Sequence, residues 1–287
     1  MYLTRRSELT LRRFESADLS EAGKISAAAF EFDVSDPTLA QRWQGRLAHL
    51  LETDPDGCFV AERGGHIVGV AEAMVRGPLW SLSLLTVKPD LQSGGVGREL
   101  MRRALEYGAD IPHGLIVASD DPRALRLYGI SGFRLLPTFE AQGIINRSAL
   151  PGPDSRVREA TPDELEELAP ISVAVRGAPH TTELRYALGR EGVLLRFGDR
   201  GFAVSQPGHG VWLLAAMDDE AATALLWRAL ELVGATDRPG IRWITGEQDW
   251  AISVLLRAGL RLKAAGALAV RGDPGALRPF LPSPPFA

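Results

Sequence analysis

Apolar positions along this chain switch repeatedly between a two-residue and a three-to-four-residue period, the mark of strands alternating with helices. Leu9–Phe14 predicts a strand, and a helix capped by Ser16 or Asp18 runs to Phe30. A second helix covers Leu39–Glu52. Cys58–Arg63 and His66–Met74 are apolar, β-branched runs joined by Gly64-Gly65, a hairpin signal. Leu79–Val87 predicts a third long strand. The helix that follows, Gly95–Gly108, sets Val96, Leu100 and Ala104 on one face. Leu115–Ala118 is a short strand, Pro122–Ser131 a helix with proline at its first position and Gly132 past its end, and Phe133–Ile145 a strand.

Pro151-Gly-Pro153 breaks both periods and is the best linker candidate. Beyond it the order recurs. Arg156–Ala160 reads as a strand, Pro162–Arg176 and Thr182–Arg190 as helices, and Val193–Phe197 with Phe202–Gln206 as a hairpin. Val211–Ala215 leads into a helix over Glu220–Gly234, Ile241–Thr245 is a strand, and Trp250–Ala258 a helix closed by Gly259. Arg102–Glu106 (R-R-A-L-E) is similar to Trp227–Glu231 (W-R-A-L-E). Two copies of one α/β (α+β) fold are therefore expected, over residues 1–150 and 151–287. Trp212, Trp227, Trp243 and Trp250 count as core of the second copy, and the end bearing Pro279, Pro282, Pro284 and Pro285 as an irregular tail.

Leu85–Arg98, L-T-V-K-P-D-L-Q-S-G-G-V-G-R, carries the chemistry. A strand stops at Pro89 and a helix opens through glycines, which leaves backbone N–H groups uncovered at a helix N-terminus, a setting that favours a diphosphate. Composition narrows the ligand classes. The 287 residues carry a formal net charge of −4, so no basic field points to nucleic acid or an anionic membrane. No apolar run reaches transmembrane length, and M-Y-L-T-R-R-S-E at the start lacks a signal core, so the expected compartment is the cytoplasm. The single cysteine, Cys58, lies in an apolar run and reads as a buried structural thiol. Five histidines without helical metal spacing give no expectation of a metal.

A nucleoside-triphosphate loop needs G-K-[ST] after its glycines, where this chain has Gly97-Arg98-Glu99. A dinucleotide fingerprint needs to follow an initial strand, and this loop follows the fourth. The element order, together with Gln92-Ser93-Gly94-Gly95-Val96-Gly97 read as [QR]-x-x-G-x-[GA], resembles the GNAT family of acyl-CoA-dependent N-acetyltransferases. A second stretch, Asp121-Pro-Arg-Ala124-Leu-Arg-Leu127-Tyr128-Gly-Ile-Ser-Gly132-Phe133, is similar to the family's N-x-x-A-x-x-L-Y-x-x-x-G-F. The resemblance covers residues 8–145 by motif and the second half by layout only. It implies two tandem domains, each a mixed, mainly antiparallel splayed sheet flanked by helices.

The resemblance also implies a site. The backbone of Leu85, Thr86 and Val87 would pair with the acyl and pantetheine groups of acetyl-CoA, and the N–H groups of Ser93, Gly94, Gly95, Val96, Gly97 and Arg98 would hold its pyrophosphate, after Gln92. Asp121 stands at the family's asparagine position, and Ala124 leaves room for the cofactor. Acetyl transfer to an amine needs a neutral amine, a stabilised oxyanion and a protonated leaving thiolate. Tyr128, a phenol protonated at neutral pH, is the expected acid, and the N–H of Val87 the carbonyl's partner. At the family's usual base positions this chain has Ser81 and Ile116, neither of them a base, so Glu72 is the remaining candidate, against a plain solvent-facing strand residue. Glu31 and Asp33 are candidates for binding a cationic acceptor, against ordinary loop charges.

In the second copy Ala216-Met-Asp-Asp-Glu220 replaces the glycine loop, and Leu255 stands where Tyr128 does, so that copy is expected to be silent. The expected function is acetyl transfer from acetyl-CoA to a primary amine by direct attack in a ternary complex. A small-molecule acceptor is favoured, because a second domain can enclose a pocket. The alternatives are a protein N-acetyltransferase and a non-catalytic acyl-CoA-binding sensor. The chain is expected to be a monomer or homodimer.

Overall fold

The structure is a computed structural model and describes residues 8–32, 37–190, 192–206, 208, 210–283 and 286. It divides into two compact units, one of Met1–Val75 with Trp80–Ile111, the other of Arg76–Leu79 with Pro112–Ala287.

The first unit holds β1 (Leu9–Arg13), α1 (Leu19–Phe30), α2 (Pro37–Thr53), β2 (Cys58–Arg63), most of β3 (His66–Arg76) and β4 (Leu79–Val87), and α3 (Val96–Tyr107). Its strands lie in the order β1-β2-β3-β4. The Gly64-Gly65 hairpin sets Cys58 opposite Glu72 and Ala61 opposite Gly69. Side chains alternate between the two faces of a strand, so Gly69 and Glu72 point to opposite sides. Gly69 lies under α3: a Cβ there would meet Leu100 Cδ1 at 2.9 Å and the Thr86 carbonyl oxygen at 3.0 Å. Trp80 anchors the other end of α3, donating from Nε1 to the Ala104 carbonyl at 3.0 Å. Close packing of this helix onto the sheet holds its N-terminus, and the loop leading into it, at the end of β4.

The second unit holds β5 (His113–Ala118), α4 (Pro122–Ile130), β6 (Arg134–Gln142), β7 (Val157–Glu159), α5 (Leu165–Arg176), α6 (Thr181–Leu188), β8 (Val193–Phe197), β9 (Gly201–Gln206), β10 (Gly210–Ala216), α7 (Asp219–Glu231), β11 (Gly240–Thr245), α8 (Asp249–Arg257), β12 (Arg261–Arg271) and β13 (Phe280–Leu281). Its strands follow the orders β5-β12-β6-β11 and β13-β10-β9-β8-β7. The repeated alternation is thus present, and the fold class is the mixed α/β arrangement expected, two sheets flanked by helices. Strands on either side of residue 150 interleave, because β12 pairs antiparallel with both β5 and β6.

One element is absent from the sequence expectation and another differs from it. The segment R-L-K-A-A-G-A-L-A-V-R carries little β-branched signal, yet it forms β12, with Ala267–Val270 buried between two neighbours. The proline-rich end is not an irregular tail: Phe280 and Leu281 form β13 against β10 and are 1% and 2% exposed. Phe286 is buried edge-on to Tyr186 and Trp212, at 5.5 and 5.2 Å between ring centres. Pro284 and Pro285 lie outside the described residues. Of the four tryptophans, Trp227 and Trp250 are buried, while Trp212 and Trp243 are half-buried.

Candidate active site

The glycine loop starts where β4 ends. Pro89–Leu91 makes one 3₁₀ turn, and the Gln92 side-chain amide donates back to the Val87 carbonyl at 3.1 Å, tying the loop to the strand. Ser93 and Gly95 then take left-handed backbone conformations, φ 63° and 88°. Gly95 is the N-cap of α3, and the first bond of the helix runs from the Glu99 N–H to the Gly95 carbonyl at 3.2 Å. N–H groups ahead of that bond have no intrahelical acceptor and point out of the helix end. Arg63, Asp90, Leu91, Gln92, Ser93 and Gly94 line a cavity of about 310 Å³ beside the loop. The Nε of Arg63 is buried there without a hydrogen-bond partner among the described residues. Val96 is buried under the helix, while Arg98 is exposed, 3.9 Å from Glu99. Loop, helix end and the Arg63 guanidinium together fit a phosphate-bearing ligand.

Glu72 is not the solvent-facing residue its alternating strand allowed. It is fully buried, with neither carboxyl oxygen hydrogen-bonded among the described residues. Burial pushes its carboxyl up to about 8, opposed by the smaller pull of the Arg46 charge. Arg46, on α2, stacks over Trp43 at 4.5 Å and donates to the Ser83 carbonyl and, at 3.2 Å, to the Ser83 hydroxyl. Cys58, opposite Glu72, is fully buried, and its thiol is pushed far up by that burial and by the neighbouring carboxylates of Glu72 and Asp54. A buried carboxyl raised in this way favours folding below its unfolded value, and the contribution is lost as pH rises through about 8. Relative to Glu72→Gln, the wild-type protein should therefore lose about 3–5 kcal/mol of stability between pH 5 and pH 8. Urea midpoints of both proteins across that range check the sign and size.

On β4, Leu85 is half-buried, while Thr86 and Val87 are 3% and 8% exposed. The Thr86 hydroxyl lies 3.5 Å from that of Ser26 on α1. Ser81 is buried on the same strand. Glu31 caps α1 in a left-handed conformation, φ 55°, with its side chain exposed. Asp33 lies outside the described residues.

The second unit carries Asp121, Ala124 and Tyr128 on α4. Asp121 is the helix N-cap: its carboxylate accepts the Arg123 N–H at 2.8 Å and pairs with the Arg123 guanidinium at 2.7 Å. That pairing holds its carboxyl below the usual range. Ala124 is half-buried four residues before Tyr128, which is 6% exposed. Burial, and then the Asp121 charge, push the Tyr128 phenol upward, so it stays protonated at neutral pH.

At α7, which the sequence expectation sets against α3, the N-terminus is satisfied from within. Asp218 is the N-cap and accepts the Ala221 N–H at 2.9 Å. Arg200 pairs with Asp218 and Glu220, Arg156 with Glu220, and Arg278 with Asp219. Leu255 is fully buried on α8. Among the described residues no group of three or more His, Cys, Asp or Glu side chains is arranged to hold a metal ion, and no helix is long and apolar enough to cross a membrane.

Arg46 and Arg63 were not singled out from the sequence. Each is one arginine in an arginine-rich chain with no motif around it. Only the fold sets one near a buried carboxyl and the other beside the glycine loop.

Comparison with known proteins agrees with this layout. The sequence profile of the Acetyltransferase (GNAT) family matches residues 21–133. A mycothiol acetyltransferase of Streptomyces bingchenggensis is 37% identical over 90 residues, 30% of this chain and 29% of that protein. Its counterpart in Streptomyces coelicolor is 31% identical over 38% of this chain and 37% of its own. The chain thus matches only about a third of the length of these curated relatives. A putative acetyltransferase from Pyrococcus horikoshii shares the fold over 100% of this chain and 98% of its own, with TM-score 0.82 and 18% identity. A GCN5-related N-acetyltransferase from Kribbella flavida covers 92% and 71%, with TM-score 0.61 and 15% identity. At such identities the two structures speak for the fold alone.

Proposed function

Because the sequence profile of the Acetyltransferase (GNAT) family matches residues 21–133, we propose that the chain moves an acetyl group from acetyl-CoA to a primary amine of a small molecule, using its first copy. The observation that carries this reading is the loop opening α3, with Ser93 and Gly95 left-handed, beside a cavity lined by Arg63, whose Nε has no hydrogen-bond partner among the described residues. In this reading the N–H groups of Ser93 to Arg98 and the Arg63 side chain hold the phosphates, and the backbone of Leu85, Thr86 and Val87 pairs with the acyl arm. Gln92 acts by bracing the loop onto β4. Acetyl-CoA supplies an activated thioester. Glu72 takes the acceptor's proton through water, and the Tyr128 hydroxyl donates to the departing sulfur. Asp121 and Ala124 flank that acid on α4, while Glu31 and Asp33 attract a cationic acceptor. The second copy takes no part in the chemistry.

The test is an acetylation assay over a panel of amines, including the amine whose acetylation yields mycothiol, with wild-type protein and Tyr128→Phe. Removing a positioned general acid should lower kcat by about a hundredfold, with the KM for acetyl-CoA within about twofold. Tight acetyl-CoA binding without turnover of any amine would instead favour a sensor, the reading suggested by the absence of a base at Ser81 and Ile116.

A further inference from the structure

We infer that Leu277–Leu281, at the C-terminal end, is a built-in occupant of the second copy's ligand edge, which limits the chain to one acyl-CoA. The inference rests on the proposed function of β4 in the first copy. In each copy a strand leads to the helix that follows the phosphate-loop position, β4 through the glycine loop into α3 and β10 through a two-residue turn into α7. On β4 the last three residues are those assigned to the acyl arm. On β10 the last three are Leu214, Ala215 and Ala216, and their edge is taken. Leu214 pairs with Leu281 and Ala215 with Phe280, and the Ala216 N–H donates to the Pro279 carbonyl at 3.2 Å. An exposed strand edge offers unpaired N–H and C=O groups to whatever extended chain can reach it. Here residues 279–281 of the same chain occupy it.

Two further contacts make the fit specific. Gln248, the N-cap of α8 and 2% exposed, donates from its side-chain amide to the Leu277 carbonyl at 2.7 Å. Its Oε1 accepts the Phe280 N–H at 3.2 Å and the Trp250 indole N–H at 2.8 Å. The Asp121 N-cap of α4, by contrast, is spent on Arg123 of its own helix. At the start of α7, where a diphosphate would sit in a working copy, the chain has its own carboxylates, and Arg278 from the same segment pairs with Asp219 at 3.1 Å. Strand edge, helix cap and helix N-terminus are thus all filled by one stretch of five residues and its neighbours. Covalent attachment gives that stretch an effective concentration no free ligand approaches.

The test combines calorimetry with hydrogen exchange on the full-length protein. Acetyl-CoA should bind with a stoichiometry of one. It should slow exchange in residues 85–98 and leave the already protected amides of 214–216 unchanged. Gln248→Ala should speed exchange at 214–216 at least tenfold, with acetyl-CoA affinity within twofold. Should that variant fail to fold, Gln248→Glu, which keeps the acceptor and loses the donor to Leu277, gives the same reading. A second equivalent of acetyl-CoA, loss of protection in 277–281 when it is added, or unaltered exchange at 214–216 in the Gln248 variant would overturn the inference. Failure of acetyl-CoA to bind or to protect residues 85–98 would overturn the proposed function instead.

Discussion

Replacing Gly95 by aspartate should raise the Kd for acetyl-CoA about a hundredfold or more while leaving the protein folded. Gly95 holds φ 88° at the N-cap of α3, and a Cβ built on it meets only Arg98 Nη2, at 3.6 Å. Space is therefore available, and the folding cost is the left-handed backbone, about 1–2 kcal/mol for a residue with a side chain. The effect on binding is larger. A carboxylate set among the N–H groups proposed to hold a diphosphate would repel it by about 1–4 kcal/mol at separations near 4 Å, depending on how far water screens the pair. It also competes for those same donors. Gly95→Ala separates the contributions: it carries the strain without the charge and should cost about tenfold or less. Calorimetric titration with acetyl-CoA, beside urea unfolding of each variant, checks both parts. Equal affinity in all three proteins would remove the loop from the binding site.

The largest stability loss is expected in the second unit, at Glu183. Its carboxylate is fully buried and accepts Arg76 Nε–H at 2.8 Å. Its other oxygen lies 3.9 Å from the fully buried guanidinium of Arg176. That guanidinium also donates to the carbonyls of Ala178, Pro179 and Phe286, yet burial still lowers it to about 10, with Glu183 the main opposing influence. Glu183→Ala takes this carboxylate away from a fully buried guanidinium. Breaking a buried pair from one side costs about 3–5 kcal/mol, a large share of the stability of an ordinary domain. Glu183→Gln keeps the shape and an acceptor for Arg76, so it should lose less. Urea unfolding followed by tryptophan fluorescence distinguishes the two. Identical midpoints for Glu183→Ala and wild type would mean that backbone carbonyls alone carry the Arg176 charge.

Much of the site is local and was therefore legible. The glycines and Pro89 mark the turn between β4 and α3 by their own backbone preferences, and the Asp121-Pro122 pair marks the start of α4. The environment of Glu72 is not local. Its alternating strand is compatible with either face being wet, and only α2 with Arg46, together with the Cys58–Glu72 register, makes it a buried titratable group. Asp121 presents the opposite case. A motif position suggests a ligand contact, while the structure shows a side chain held by Arg123, two residues on.

The order of strands and helices and the glycine turn between β4 and α3 are properties of short stretches, written in period and glycine placement. Sequence alone determined those. The tertiary structure decided what depends on partners far apart in the chain. It showed that alanine-rich β12 is a strand, because β5 and β6 supply hydrogen bonds on both edges. It showed that the proline-rich end is part of the core, because β10 leaves an edge to be covered and Gln248 clamps the segment there. Local propensity carries little information about an edge or a burial that another part of the chain, more than sixty residues away, creates.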